Sequence, residues 1–237
     1  MKNKITLLAA VLACGSAYAV PATDGTLFIS DGTSVVTVQD NVGADNQALA
    51  GAIGWGGTIG TWTLNADVGT TKPIQGSATS PDLDLSFLAK GSAAGTITIA
   101  FFDDGFGPVN GTAKMSIGGT GSGATVTYTT YTRGGTSIPA PGATYNPLLD
   151  GWTLLAGSGP LGGISFSDDF SGGMASGGQN PFELLQVITI TVTTGTAPVT
   201  TGDATLTAPD GGMTLMLLGS SLAGLGLLRR SFKRSKV

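Results

Sequence analysis

The sequence predicts an all-β protein, an antiparallel β-sandwich or jelly-roll-like ectodomain, and three observations support this. Between residues 26 and 208 the chain is rich in Thr, Ser, Gly and Val and poor in strong helix formers. Apolar and polar side chains alternate in short runs, which is the period of a half-buried strand. Turns that contain Gly, Asn or Pro separate these runs. Many short strands without a long helical pattern indicate stacked antiparallel sheets.

Three runs alternate most clearly, at residues 83–87, 97–101 and 188–192. Each places Leu, Ile, Val or Phe on one face and Asp, Ser, Thr or Ala on the other. β-branched and aromatic residues fit the pleated surface of a sheet better than a helix. Further strands are predicted near residues 26–30, 33–39, 58–64, 111–118, 124–132, 152–155, 163–167 and 203–207.

Other segments break this pattern. Residues 45–52 predict a short helix, and residues 181–185 predict a turn into the long strand that follows. Segments 102–106 and 166–170, with the sequences Phe-Asp-Asp-Gly-Phe and Phe-Ser-Asp-Asp-Phe, are similar and predict two equivalent edge loops of one sandwich. Turn-forming residues predict turns at 31–32, 110–111, 118–123, 134–135 and 139–147.

The N-terminal segment has the three parts of a secretory signal peptide. Lys2 and Lys4 provide the positive start, and residues 5–13 form the apolar run. Ala17 and Ala19 occupy the two small-residue positions of a cleavage site. We therefore predict export and cleavage by signal peptidase after Ala19.

Cys14 is the only cysteine of the chain. A lipoprotein signal with Cys14 as the lipidated residue is the alternative to simple cleavage, and bulky Leu12 disfavours it. Cleavage after Ala19 leaves a mature chain without thiols. Such an exported domain is stabilised by its core without the help of disulfide bonds.

The charge is unevenly distributed. Two of the eleven basic residues lie in the N-terminal segment and five lie beyond residue 228. The part between them, residues 20–207, which we call the body, therefore has four basic and fourteen acidic residues. A body with a net charge of −10 is a poor partner for nucleic acid or an anionic membrane surface. Solubility is the simplest explanation of this charge.

The C-terminal segment ends in an apolar run and a basic cluster. Residues 213–228 contain no charge and span roughly 24 Å as a helix, a little less than the hydrocarbon thickness of about 30 Å. We predict one transmembrane helix with its basic tail in the cytoplasm. A buried helix of a soluble fold is disfavoured, because Gly and Ser are distributed over all faces of the helix and no amphipathic stripe is present. The basic tail consists of Arg229, Arg230, Lys233, Arg234 and Lys236.

The C-terminal segment resembles the PEP-CTERM class of sorting domains, which exosortases process. The resemblance rests on Pro209-Asp210-Gly211-Gly212, on the short Leu/Gly/Ala helix and on the Arg-rich end. The variant that begins Val-Pro-Asp-Ser-Gly is most similar, with Ala208 in place of Val and Gly211 in place of Ser. A glycolipid-anchor signal is disfavoured because such tails usually end apolar.

The resemblance implies an exported bacterial protein that a membrane-embedded cysteine protease cuts near the Pro-Asp turn. It implies that the protein is held in the inner membrane by its C-terminal helix before processing, and is then released or attached at the cell surface. The expected partners are signal peptidase, an exosortase-type protease and the membrane. Extracellular polysaccharide is a further candidate, and nucleic acid is not expected to bind. The predicted segments are a signal peptide at 1–19, the ectodomain at 20–207 and the sorting signal at 208–237.

Histidine is absent, which excludes Ser-His-Asp and Cys-His catalysis and imidazole metal sites. We predict no catalytic residue, no metal ligand and no cofactor. Two alternatives use aspartates alone, a carboxylate-only hydrolase and a calcium site between strands. Their candidate residues are Asp103, Asp104, Asp168 and Asp169, with Asp82 and Asp84 as further chelators on one strand face.

The tryptophans suggest a second function. Trp62 alternates with Leu64 and is expected in the core, whereas Trp55 lies between two glycines and is expected to be exposed. Trp55 or Trp152 in a sugar-stacking platform would make the ectodomain a carbohydrate-binding module. The primary expectation is an exported structural or adhesive protein of the cell surface or extracellular matrix, and not an enzyme.

Overall fold

The computed structural model describes residues 25–107, 109–135, 151–175, 181–194, 198–208 and 221–222 of the 237-residue chain. Over these ranges the protein consists of two stacked antiparallel β-sheets, so the predicted all-β class is confirmed. In chain order the strands are β1 (Thr26–Ser30), β2 (Val35–Gln39), β3 (Ala52–Ile59), β4 (Trp62–Thr70), β5 (Asp82–Gly91), β6 (Gly95–Phe106), β7 (Asn110–Gly121), β8 (Ala124–Gly134), β9 (Thr153–Gly157), β10 (Leu161–Gly162), β11 (Ser165–Ala175), β12 (Phe182–Val192) and β13 (Val199–Thr207).

The two sheets have interleaved connections. Sheet A has the order β10-β8-β12-β6-β1-β2, and β9 also pairs with β8. Sheet B has the order β11-β7-β13-β5-β4-β3. Long strands at the middle of each sheet set the register, with Ile188 opposite Ile99 on one side and Tyr128 on the other. In each strand, every second side chain therefore points toward the opposite sheet.

One core fills the space between the sheets. Leu83, Leu85 and Phe87 of β5 enter it, and the polar residues between them face outward, as the alternation predicts. Trp62 of β4 and Tyr128 of β8 are the largest fully buried side chains. The prediction that Trp62 is a core residue is confirmed.

Sheet A carries a second apolar group on its outer face, which we call the outer cluster. Phe28, Ala100, Phe102, Leu185 and Val187 are buried there. Their neighbours along β6 and β12 face the core. Around this cluster both strands are therefore apolar on both faces and form nearly continuous apolar runs, whereas their parts at 97–99 and 188–192 alternate as predicted.

Two local predictions are wrong near the start of sheet B. The strand predicted at 58–64 is a hairpin, because Gly60 has a φ of 54° and reverses the chain between β3 and β4. The helix predicted at 45–52 is a loop that leads into β3. There the Asp45 carboxylate accepts hydrogen bonds from the backbone N–H groups of Gln47 and Gly54, which favours a turn over a helix.

Three other predictions fail because strands extend through them. Residues 110–111 belong to β7 and pair with the end of β11, instead of forming a turn. Residues 182–185 already belong to β12. The similar segments 102–106 and 166–170 lie within β6 and β11, in different sheets, and are not equivalent loops.

The predicted signal peptide at 1–19 lies outside the described residues, and so does the 208–237 sorting segment except for Ala208, Ser221 and Leu222. Ala208 is buried directly after β13, and its N–H donates to the Pro81 carbonyl. Ser221 and Leu222 are helical and exposed. Among the described residues, no helix has the length and apolar character needed to span a bilayer.

Candidate functional site

The residues predicted to direct export and sorting lie outside the described ranges, and their roles remain predictions. They are Ala17 and Ala19 of the signal peptide, Pro209, Asp210, Gly211 and Gly212 of the sorting motif, and Arg229, Arg230, Lys233 and Arg234 of the tail. The described residues present three other groups of side chains with chemical interest.

The first group surrounds Asp103 on β6. Lys72 Nζ lies 2.6 Å from Asp103 Oδ2, and the Thr71 hydroxyl donates to the same oxygen at 2.7 Å. Burial raises the pKa of Asp103, while Lys72 and Thr71 act in the opposite direction. Lys72 also donates to the backbone carbonyl of Asp104, which is itself a buried residue. A lysine ammonium therefore stands where the calcium hypothesis would place a metal ion.

The two predicted aspartate pairs do not share a site. Asp168 and Asp169 lie on β11, at the edge of sheet B, whereas Asp103 and Asp104 lie on β6, inside sheet A. Asp168 is half-buried and Asp169 is exposed. Among the residues that the structure describes, no group of three or more Asp, Glu, His or Cys side chains is placed to hold a metal ion.

The second group is a row of carboxyl groups on the outer face of sheet B. Asp82 and Asp84 share this face of β5, as predicted, and Asp203 of neighbouring β13 joins them. Burial, followed by the charge of Asp203, raises the pKa of Asp84 to about 6. The Ser86 hydroxyl donates to Asp203 at 2.7 Å. Burial is the main cause of the shift at Asp84, and repulsion from the neighbouring carboxylates adds to it.

The three tryptophans occupy different environments. Trp62 is buried in the core. Trp55 is half-buried, and its ring packs over Gly57 and against the core, so it is only partly exposed. Trp152 is half-buried and packs against the outer cluster of sheet A. Among the tryptophans, Trp152 is therefore the candidate for contact with a ligand.

The third group holds Trp152 in place, and we call it the Trp152 site. The Arg133 guanidinium carbon lies 4.5 Å from the centroid of the Trp152 ring. The Glu183 carboxylate, which is fully buried, accepts from Arg133 Nε at 2.8 Å and is also paired with its Nη2. The edge of Phe102 meets the ring at a centroid distance of 6.5 Å and an angle of 69°. Tyr131 also packs against the outer cluster.

This arrangement fixes an aromatic ring at the protein surface. The ring has a buried charge pair behind it and an aromatic edge beside it, so little side-chain entropy is lost when a ligand contacts it. A partly exposed and immobilised ring suits stacking against the apolar face of a sugar or of another flat group. Leu154, two residues further along the chain, is also exposed.

Sequence patterns alone do not pair Lys72 with Asp103 or Arg133 with Glu183. The only indication in the sequence is the small number of basic residues. A buried acid needs a cation as its partner, and the body has four basic residues for all of its acidic ones, so each basic residue is a candidate partner. Alternation cannot show which acids are buried, because in β6 and β12 both faces of the strand are covered.

No protein-family model and no curated protein sequence matches the chain. A solved structure, the adhesin domain of Epf from Streptococcus pyogenes, is similar to it with a TM-score of 0.36 and 10% sequence identity. The similarity covers 78% of this chain and 58% of that chain, so the present chain spans a little over half of its length. At this TM-score the likeness assigns neither a family nor a function.

Proposed function

We propose that the protein is an exported structural or adhesive component of the cell surface or extracellular matrix, without enzymatic activity. One observation carries the proposal. A segment with the pattern of a signal peptide that ends at Ala19, and a Pro209-Asp210 segment that resembles a sorting motif with an apolar and basic tail, enclose an acidic, all-β ectodomain. The body supports a non-enzymatic role because it lacks histidine and because its buried acid Asp103 is paired with Lys72.

The proposed pathway involves two proteases and the membrane. Signal peptidase removes residues 1–19 during export. The helix at 213–228 then holds the chain in the inner membrane, with the basic tail on the cytoplasmic side. An exosortase-type protease cuts near Pro209-Asp210 and delivers the ectodomain to the surface or the extracellular space.

Cell fractionation in the native host tests this proposal. The wild-type chain is expected at the surface or in the medium without its basic tail. A double variant, Pro209→Ala with Asp210→Ala, is expected to accumulate in the inner membrane with the tail intact. Asp169→Asn, a change at an exposed residue of β11, serves as the matched control and should behave as wild type. Retention of the wild-type chain in the cytoplasm, or normal release of the double variant, contradicts the proposal.

The Trp152 site supports a second candidate function, the binding of an extracellular polysaccharide. The supporting observation is the immobilised and partly exposed ring described above. Aromatic side chains combine a large apolar surface with few rotatable bonds, which suits a repetitive and weakly polar ligand.

Binding of the full chain to polysaccharide purified from the host matrix tests the second candidate. Trp152→Ala should abolish binding, whereas Trp152→Phe should retain part of it because a flat ring remains. Trp55→Ala is the matched control, since Trp55 is also half-buried but packs against the core of sheet B. Equal binding by wild type and Trp152→Ala rules out this function for the site.

A further inference from the structure

Lys72 and Asp103 connect the two sheets. Lys72 lies just beyond β4 of sheet B, and Asp103 lies on β6 in the interior of sheet A. The Lys72 Nζ and Asp103 Oδ2 atoms are 2.6 Å apart, and the two side chains are only 9% and 0% exposed. A nitrogen nucleophile and a carboxyl group are thus held in contact and away from bulk water.

Burial disfavours the charged form of Asp103 and raises its pKa, while Lys72 and Thr71 act in the opposite direction. The Lys72 Nζ lies 4.4 Å from the centroid of the Phe106 ring, a contact that attracts the ammonium form and holds the nitrogen beside Asp103. An amine with a carboxylic acid carries the same number of protons as an ammonium with a carboxylate. A poorly solvated site shifts this balance toward the neutral partners, since burial penalises charge. The neutral partners are the forms that react with each other.

The two oxygens of Asp103 have different hydrogen-bond partners. Oδ1 accepts from the backbone N–H of Asp104 at 2.8 Å. Oδ2 accepts from the Thr71 hydroxyl at 2.7 Å and contacts Lys72 Nζ. A backbone donor on one oxygen stabilises negative charge that develops there when the carboxyl carbon is attacked. The hydroxyl on the other oxygen polarises it as a leaving group.

We propose that Lys72 and Asp103 condense into an intramolecular isopeptide bond that covalently links the two sheets. Lys72 Nζ attacks Cγ of Asp103, and a C–N bond forms. The C–Oδ2 bond breaks, and Oδ2 leaves as water with two protons, one from the amine and one from the carboxylic acid. The product is a neutral secondary amide, and the reaction requires no oxidant, reductant or further reactant.

The fold supplies the driving force that the free groups lack. Groups held in contact react with effective concentrations of about 10⁵–10⁸ M, compared with free amine and acid in solution. The product replaces a buried charge pair by a neutral amide, which removes the desolvation cost of two ions. It also gives a covalent link to a mature chain that has no cysteine.

The other buried charge pair provides an internal comparison. Arg133 and Glu183 are as close together as Lys72 and Asp103, and Glu183 is also fully buried. The Arg133 guanidinium does not lose its proton in proteins and is not a nucleophile there. Condensation is therefore expected at Lys72–Asp103 and not at Arg133–Glu183. This inference is independent of the proposed function, because bond formation does not depend on processing of the tail.

Peptide mapping of the full chain tests the proposal. Trypsin cuts after Lys90 and Lys114 but not between Lys72 and Pro73. In an unlinked chain Lys72 and Asp103 therefore lie in different peptides, separated by the cut after Lys90. In a linked chain we expect one branched species, lighter than the sum of the two peptides by one water molecule. Its fragment spectrum should place the link at residues 72 and 103.

Two variants complete the experiment. Lys72→Arg keeps a cation beside Asp103 and should give two separate peptides. Lys114→Arg, at an exposed position of β7 that trypsin still cuts, should keep the branched species. Separate peptides from the wild-type chain overturn the proposal. So does a water loss confined to the linear 91–114 peptide, since succinimide formation at Asp104-Gly105 explains that mass without a cross-link.

Discussion

Gly119 of β7 shows at the residue scale how closely the chain packs in sheet B. A Cβ atom at this position would lie 2.1 Å from the Thr201 carbonyl oxygen and 2.6 Å from the Phe166 ring. A backbone oxygen cannot move away without disturbing the pairing of β7 with β13. Only glycine fits here, although nothing in the sequence distinguishes this glycine from its neighbours.

We expect Gly119→Ala to lower the free energy of unfolding by about 1–3 kcal/mol, the usual cost of overpacking. Gly118→Ala is the matched control, because a Cβ there meets nothing closer than 3.9 Å. The control should remain within about 0.5 kcal/mol of wild type. Urea unfolding of both variants measures the difference, and equal values would contradict the described contact.

Asp84 makes stability depend on pH. Its pKa in the folded protein is about 6, above the ordinary value of 3.8, so the fold disfavours its charged form. The protonated group imposes no such cost at low pH. The free energy of unfolding should therefore fall as the pH rises from about 4 to about 6 and then level off.

Asp84→Asn tests this dependence, since the amide cannot ionise. We expect the variant to be more stable than wild type by roughly 1 kcal/mol at pH 7.5, a value reduced because Asp84 is only half-buried. No gain is expected at pH 3.5. Urea unfolding at the two pH values gives the comparison, with Asp169→Asn as the control at an exposed position. A loss of stability at pH 7.5 would contradict the assignment.

Among the strands, the sequence predicts an element well where one face is exposed to solvent and the other is buried in the core. β5 alternates because only one face meets the core, and its prediction is confirmed. β6 and β12 have apolar residues on both faces, so alternation underestimates their length. The 58–64 prediction merges two strands because the turn at Gly60 is very short. The 45–52 prediction fails because a side chain, Asp45, competes for backbone donors.

The Arg133–Glu183 contact joins β8 to β12 by a buried charge pair. Arg133→Met should lower the free energy of unfolding by about 3 kcal/mol, because the buried Glu183 carboxylate loses its guanidinium partner. The double variant Arg133→Met with Glu183→Leu should regain most of that loss, because two apolar side chains replace the charge pair. Urea unfolding of the single and double variants measures the coupling. A single variant as stable as wild type contradicts this role.

For the whole molecule, the sequence predicts the fold class better than it predicts the surroundings of Trp152. The predicted export and sorting motifs are local in sequence, and their roles stay predictions. The Trp152 site combines residues from β6, β8 and β12 with the residue that precedes β9, and only the strand order brings them together. The sequence cannot separate Trp55 from Trp152 as a candidate for ligand contact, because both are half-buried and only the fold shows which apolar cluster each ring meets.

Mass spectrometry of both termini of the mature protein, isolated from its native host, tests the proposed export and sorting. Export followed by sorting predicts an N-terminus at Val20 and a C-terminus between Pro209 and Gly212. A mature chain that still begins at Met1, or that retains the basic residues through Lys236, would contradict the account.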